Sequence, residues 1–149
     1  MLQIEVSSIS VYTVIMFIEW VEEYGVGVES IDRQHKKFIL ILNKLSDALD
    51  EGTEDTALGE ILDELVVYTD YHFATEEKIL RQTHCEFYDE QVAEHRKLRK
   101  HLTELVMKSH KNRSEVSLEL LHFMKDWLTK HLLQQDQKYS SCFIEHGIK

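Results

Sequence analysis

Proline is absent from this chain, and glycine occurs only five times in 149 residues. Proline breaks helix interiors and glycine weakens them. Their scarcity removes the punctuation of a turn-rich β fold and favours long helices. Positive charge is also short: 17 Lys and Arg stand against 27 Asp and Glu, a net charge of −10. That balance excludes the basic face a nucleic-acid partner needs. The first basic residue is Arg33, so the mildly apolar opening MLQIEVSSISVYTVIMFIEW lacks the positive start of a secretory signal. No apolar run approaches the roughly 18 residues of a membrane span, and a soluble, cytoplasmic protein with no membrane partner is expected. The two cysteines, Cys85 and Cys142, have no CxxC spacing. They read as free thiols in a reducing cytosol. There is no His-Glu-x-x-His protease motif, Gly-rich phosphate loop or nucleophile elbow.

Histidine is abundant instead, with nine in the chain. A chain of this length suits one domain with a single core. Residues 1–15 read as an extension, and residues 16–149 as the domain. From about residue 30 the apolar pattern has a helical period. One helix spans about 31–49, with Phe38, Leu42 and Leu45 on its stripe. A second spans about 56–82, with Leu58, Leu62 and Leu65, and a third about 87–110, with Leu98, Leu102 and Leu105. A fourth spans about 115–133, with Leu120, Met124 and Trp127. DEGTED (50–55) offers Gly52 as a C-terminal cap and Asp55 as an N-cap, while KNRS (111–114) offers Ser114 as an N-cap. YGVGVE (24–29) reads as the flexible part of an irregular arm, and residues after 133 add one short helical turn or more. Short connections between long helices predict an all-α, antiparallel up-down-up-down four-helix bundle, with an N-terminal arm and a short C-terminal helical segment.

Several polar residues sit in these apolar stripes. His35, His72, Glu76, Gln91, His95 and His131 all fall on inward positions. An up-down-up-down topology brings the start of the first helix, the end of the second, the start of the third and the end of the fourth to one end. All six therefore converge in one layer. Asp136, five residues beyond His131, joins it if the last helix continues or bends. Buried imidazoles and carboxylates without partners cost several kcal/mol each, and a transition metal is the natural compensation. Imidazole suits iron or zinc, and carboxylates can bridge two ions. His84, His101, His110 and His146 fall in loops, on polar faces or near the C-terminus. His122 completes a lone Glu-x-x-His (119–122), and the ferritin-like di-iron pattern needs two such motifs and two more Glu residues.

The run VGVESIDRQHKKF (26–38), HFATEE (72–77), AEH (93–95) and WLTKHLLQQDQKY (127–139) together resemble the hemerythrin family, of the bacterial type. The resemblance covers about residues 16–140. Since MFIEW (16–20) resembles the usual start of bacterial members, Met16 is a candidate initiator. The resemblance implies two non-haem iron ions with an oxo or hydroxo bridge, and O2 as ligand. It places one iron on His35 and His72, the other on His95 and His131, and Glu76 and Asp136 across both. Trp127 and Leu128 match apolar positions of the O2 pocket. The family's helix-borne His-x-x-x-His is here Gln91-x-x-x-His95. The Gln91 amide ligates weakly, or water takes its place, or the second iron binds poorly. An open or water-filled position is favoured, with access for azide or nitric oxide. O2 carriage or storage, or a sensing module with a signalling output partner, is the function expected from the resemblance. The alternatives are a di-iron oxidase, peroxidase or nitric oxide reductase, and a zinc-binding or metal-free bundle.

Overall fold

The computed structural model describes residues 18–148. The extension at 1–15 and the candidate initiator Met16 lie outside the described residues. Helix α1 (Glu29–Glu51), α2 (Glu54–Gln82), α3 (Tyr88–Ser109) and α4 (Arg113–Asp126) form the expected bundle. Residues 52–53, 83–87 and 110–112 join them, short enough to enforce antiparallel neighbours. Helix α4 runs on as a wider π-helical segment, Trp127–Gln135, followed by a 3-10 turn, Asp136–Tyr139, and a short α5 (Ser140–Glu145). No helix among the described residues is long and apolar enough to cross a membrane.

The stripes read from the sequence meet in the main core. Phe38, Leu42 and Leu45 of α1 pack with Leu58, Leu62 and Leu65 of α2, Leu102 and Leu105 of α3, and Leu120, Met124 and Trp127 of the last helix. A second apolar cluster gathers Val26, Val28, Ile31, Leu80, Tyr139 and Phe143. Along α1 the order is Ile31, His35, Phe38; along α2 it is Phe73, Glu76, Leu80. The polar layer is therefore sandwiched between two apolar clusters.

Helix ends differ in detail from the sequence expectation. Gly52 caps α1 as predicted, in the left-handed region at φ 72°, where only glycine is free of strain. Helix α2 starts one residue before Asp55, with Thr53 at its N-cap and no side-chain cap bond. At α4 the N-cap is Asn112 rather than Ser114; its side chain accepts from the Glu115 N–H at 3.2 Å. Nor is the 24–29 segment loosely attached. Val26 and Val28 are buried, and the Val26 N–H donates to Asp32 Oδ1 at 2.8 Å.

The cysteines are a larger correction. Cys85 and Cys142 form a disulfide, with Cα atoms 5.7 Å apart. They are 57 residues apart in sequence and belong to no motif. The turn after α2 and the return of the chain beyond Asp136 bring them together, which spacing alone does not reveal. The pairing also removes the free-thiol argument for a reducing compartment. Closing a loop of this length restricts the unfolded chain. Reduction, or a Cys85→Ser/Cys142→Ser double variant, should lower unfolding free energy by about 2–4 kcal/mol. Urea denaturation with and without reductant checks it; equal midpoints would show that the bond contributes nothing.

Candidate metal centre

Each side chain of the polar layer reaches the centre for a local reason. His72 and Glu76 are four residues apart on α2, and Gln91 and His95 are four apart on α3, so each pair shares a helix face. His35 lies one turn before Phe38 on the buried face of α1. Asp136 depends on the π winding. On an α-helix, residues five apart stand about 140° apart. Here the Asp136 N–H donates to the His131 carbonyl, five residues back, and this wider turn points both side chains inward. Single π turns recur at functional sites for this kind of reason.

The structure brings all seven residues together, none of them more than 3% exposed. The two carboxylates divide the layer into halves. Glu76 Oε1 lies 2.8 Å from His72 Nε2 and 3.4 Å from His35 Nε2. Its other oxygen, Oε2, lies 2.9 Å from His95 Nε2. Asp136 does likewise: Oδ2 is 3.0 Å from His35 Nε2, and Oδ1 is 3.2 Å from His131 Nε2. Each carboxylate thus turns one oxygen to the His35/His72 half and one to the His95/His131 half.

The halves differ in how they are satisfied. In the first half, His35 Nε2, His72 Nε2 and Asp136 Oδ2 have no hydrogen-bond partner despite their close approach. Lone pairs and nitrogens that converge without bonding geometry fit a cation between them. In the second half the Gln91 amide nitrogen takes the middle. It lies 2.6 Å from Asp136 Oδ1, 3.1 Å from Glu76 Oε2, 3.2 Å from His95 Nε2 and 3.4 Å from His131 Nε2. Where an open or water-filled position was expected from the sequence, this side chain stands.

The charges follow from burial and neighbours. Burial opposes protonation of His35, but contact with Asp136 and Glu76 outweighs it and raises its pKa to about 9. His95 is raised for the same reason, burial losing to Glu76 and Glu77. For His131 burial wins, and the pKa falls to about 3; burial likewise lowers His72. Burial and then the Glu76 charge push Asp136 up to about 7. Glu76 is held well below the usual carboxylate range: burial works against ionisation, but the close imidazoles of His72, His35 and His95 prevail.

Three residues around the layer were not read from the sequence. Gln34 Oε1 lies 2.6 Å from His72 Nδ1, Glu77 Oε1 lies 2.8 Å from His95 Nδ1, and the Tyr139 hydroxyl donates to Glu76 Oε1 at 2.5 Å. A signal existed for each. Gln34 and Glu77 adjoin His35 and Glu76, and Tyr139 stands one turn beyond Asp136. Aromatic rings close the layer. Phe73 stacks on His95 at 3.7 Å, Tyr68 stacks on His72 at 5.2 Å, and Trp127 meets His131 edge-on at 6.4 Å. Leu128 is buried in the same core. His84, His101, His110, His122 and His146 are all exposed and away from the layer.

Residues 26–142 match the family description Hemerythrin HHE cation binding domain. The chain is 32% identical over 120 residues to the bacteriohemerythrin of Methylococcus capsulatus, covering 80% of this chain and 91% of that one. It is 34% identical over 113 residues to the bacteriohemerythrin of Aquifex aeolicus, covering 74% and 86%. With the Stenotrophomonas maltophilia bacteriohemerythrin it shares 31% over 127 residues, covering 85% and 82%.

Proposed function

This chain belongs to the hemerythrin family of non-haem iron-binding proteins, and from that premise we propose that it binds O2 reversibly at iron held in the buried polar layer. The observation that carries the reading is the convergence of unpartnered, fully buried His35, His72 and Asp136 atoms around Glu76. Burying these groups without a cation would cost several kcal/mol. Iron bound there in its ferrous state would supply an electron-donating centre with affinity for O2.

The chain's own residues do the rest. His35, His72, Glu76 and Asp136 hold the ion. Gln34 accepts from His72 Nδ1–H, which fixes the tautomer and leaves Nε2 facing inward as a ligand. Tyr139 anchors Glu76 from the opposite side. Phe38, Phe73 and Trp127 pack between the layer and the main core, excluding water that would promote loss of the electron. A surface cavity between α1 and α2 is lined by Gln34 and Tyr68, both of which touch His72. It offers a small diatomic ligand a short way to the first half.

The test is optical. Protein loaded with ferrous iron and exposed to air should gain a visible charge-transfer band that vanishes under vacuum and returns with air. Immediate bleaching to a ferric spectrum that vacuum does not reverse would replace O2 binding with redox turnover.

A further inference from the structure

Gln91 occupies the middle of the second half of the layer. Its amide nitrogen is not beside the second half but at its centre, within 2.6–3.4 Å of Asp136 Oδ1, Glu76 Oε2, His95 Nε2 and His131 Nε2. Of these residues, Glu76, His95 and His131 present ligand atoms close enough together to hold a metal ion, and Asp136 Oδ1 adjoins them. Resting on the iron reading above, we propose that the Gln91 amide nitrogen takes the place of a second metal ion, so that this chain holds a single iron, in the half built from His35, His72, Glu76 and Asp136.

Three features support this. The first is hydrogen-bond supply. An amide nitrogen carries two hydrogens, and the two carboxylate oxygens nearest to it can take both. His95 is also served, by Glu76 at 2.9 Å and by Glu77 at 2.8 Å. The inward carboxylate oxygens of this half are therefore partnered without a cation, and only the outlying Gln91 Oε1 and His131 Nδ1 lack a partner there, whereas the first half keeps unpartnered His35 Nε2, His72 Nε2 and Asp136 Oδ2. The second is orientation. The Gln91 carbonyl oxygen is buried and has no partner. Turning the amide over would bring that oxygen against Glu76 Oε2 and Asp136 Oδ1 and exchange two hydrogen bonds for contacts between oxygens. The arrangement with nitrogen inward is the one that the two carboxylates stabilise. The third is space. Iron and similar ions sit about 2.0–2.2 Å from nitrogen and oxygen ligands, and an ion at that distance from these four atoms would overlap the amide. For Gln91 to act as a ligand, its side chain would have to withdraw by about that bond length and abandon both carboxylate hydrogen bonds.

Plug and ligand make opposite predictions for truncation. If Gln91 were a ligand, Gln91→Ala would weaken the second position. As a plug, its removal opens a cavity already lined by two imidazoles and two carboxylate oxygens. Anaerobic dialysis against Fe(II), and separately Co(II), followed by elemental analysis, should give one ion per wild-type chain. Gln91→Ala and Gln91→His should each take up a second. Two ions per wild-type chain, or a Gln91→Ala variant that stays at one or falls below it, would overturn the proposal while leaving the iron reading intact. A wild-type chain that takes up no ion would instead overturn the iron reading itself. Two ions per wild-type chain would overturn the proposal even if a variant fails to fold.

Discussion

Replacing Glu76 by alanine should reduce iron affinity at least ~100-fold, the upper end of what is lost when groups merely supporting a ligand are removed. Glu76 is the hub of the layer's polar contacts. Glu76 touches His35 and His72 through one oxygen, His95 and Gln91 through the other, and Tyr139 anchors it. Its loss leaves the first half with two imidazoles and Asp136. Competition against a chelator of known affinity measures the change; an affinity within threefold of wild type would remove Glu76 from the ligand set. The same substitution has a signature in protein stripped of iron. His35 is raised to about 9 by its carboxylate neighbours against the pull of burial. A group raised in the folded state stabilises fully below its ordinary pKa, near 6.5, and loses that contribution as pH rises through about 9. Stability of the stripped wild type should therefore decline between about pH 6.5 and 9, and Glu76→Ala should flatten the decline.

Truncating Trp127 to alanine should cost about 3–5 kcal/mol of stability, as for other fully buried aromatic residues. Its ring is 1% exposed and lies 4.9 Å from Phe38, 5.5 Å from Phe73 and 5.6 Å from Phe123. The cavity would open beside His131, whose imidazole is kept neutral by burial. The variant should thus show two linked changes: an unfolding free energy lowered by several kcal/mol, and faster autoxidation of the iron-loaded form as water gains entry. Lost stability with an unchanged autoxidation rate would confine Trp127 to packing.

The bundle and six of the inward polar residues were legible because period and topology act together. His72 and Glu76 at i, i+4 share a face whatever else the chain does, and short connections fix which helix ends meet. Asp136 was legible only as a condition, because its orientation depends on a π segment that no periodicity announces: a five-residue step from His131 looks outward on an ordinary helix. Gln91 shows a different limit. Its position could be read, but not which amide atom would face the carboxylates, since that is decided by hydrogen-bond supply in three dimensions. The disulfide escaped for a third reason. Cys85 and Cys142 meet through the return of the chain after Asp136, a contact between segments with no shared sequence pattern.

The central claim is that this buried layer, rather than any surface histidine, is where iron resides. Diffraction from crystals of the iron-loaded protein, recorded on both sides of the iron absorption edge, tests it most directly. A strong anomalous peak enclosed by His35, His72, Glu76 and Asp136 is the expected result. A layer without any iron peak, or a peak only at exposed residues such as His101 or His122, would contradict it.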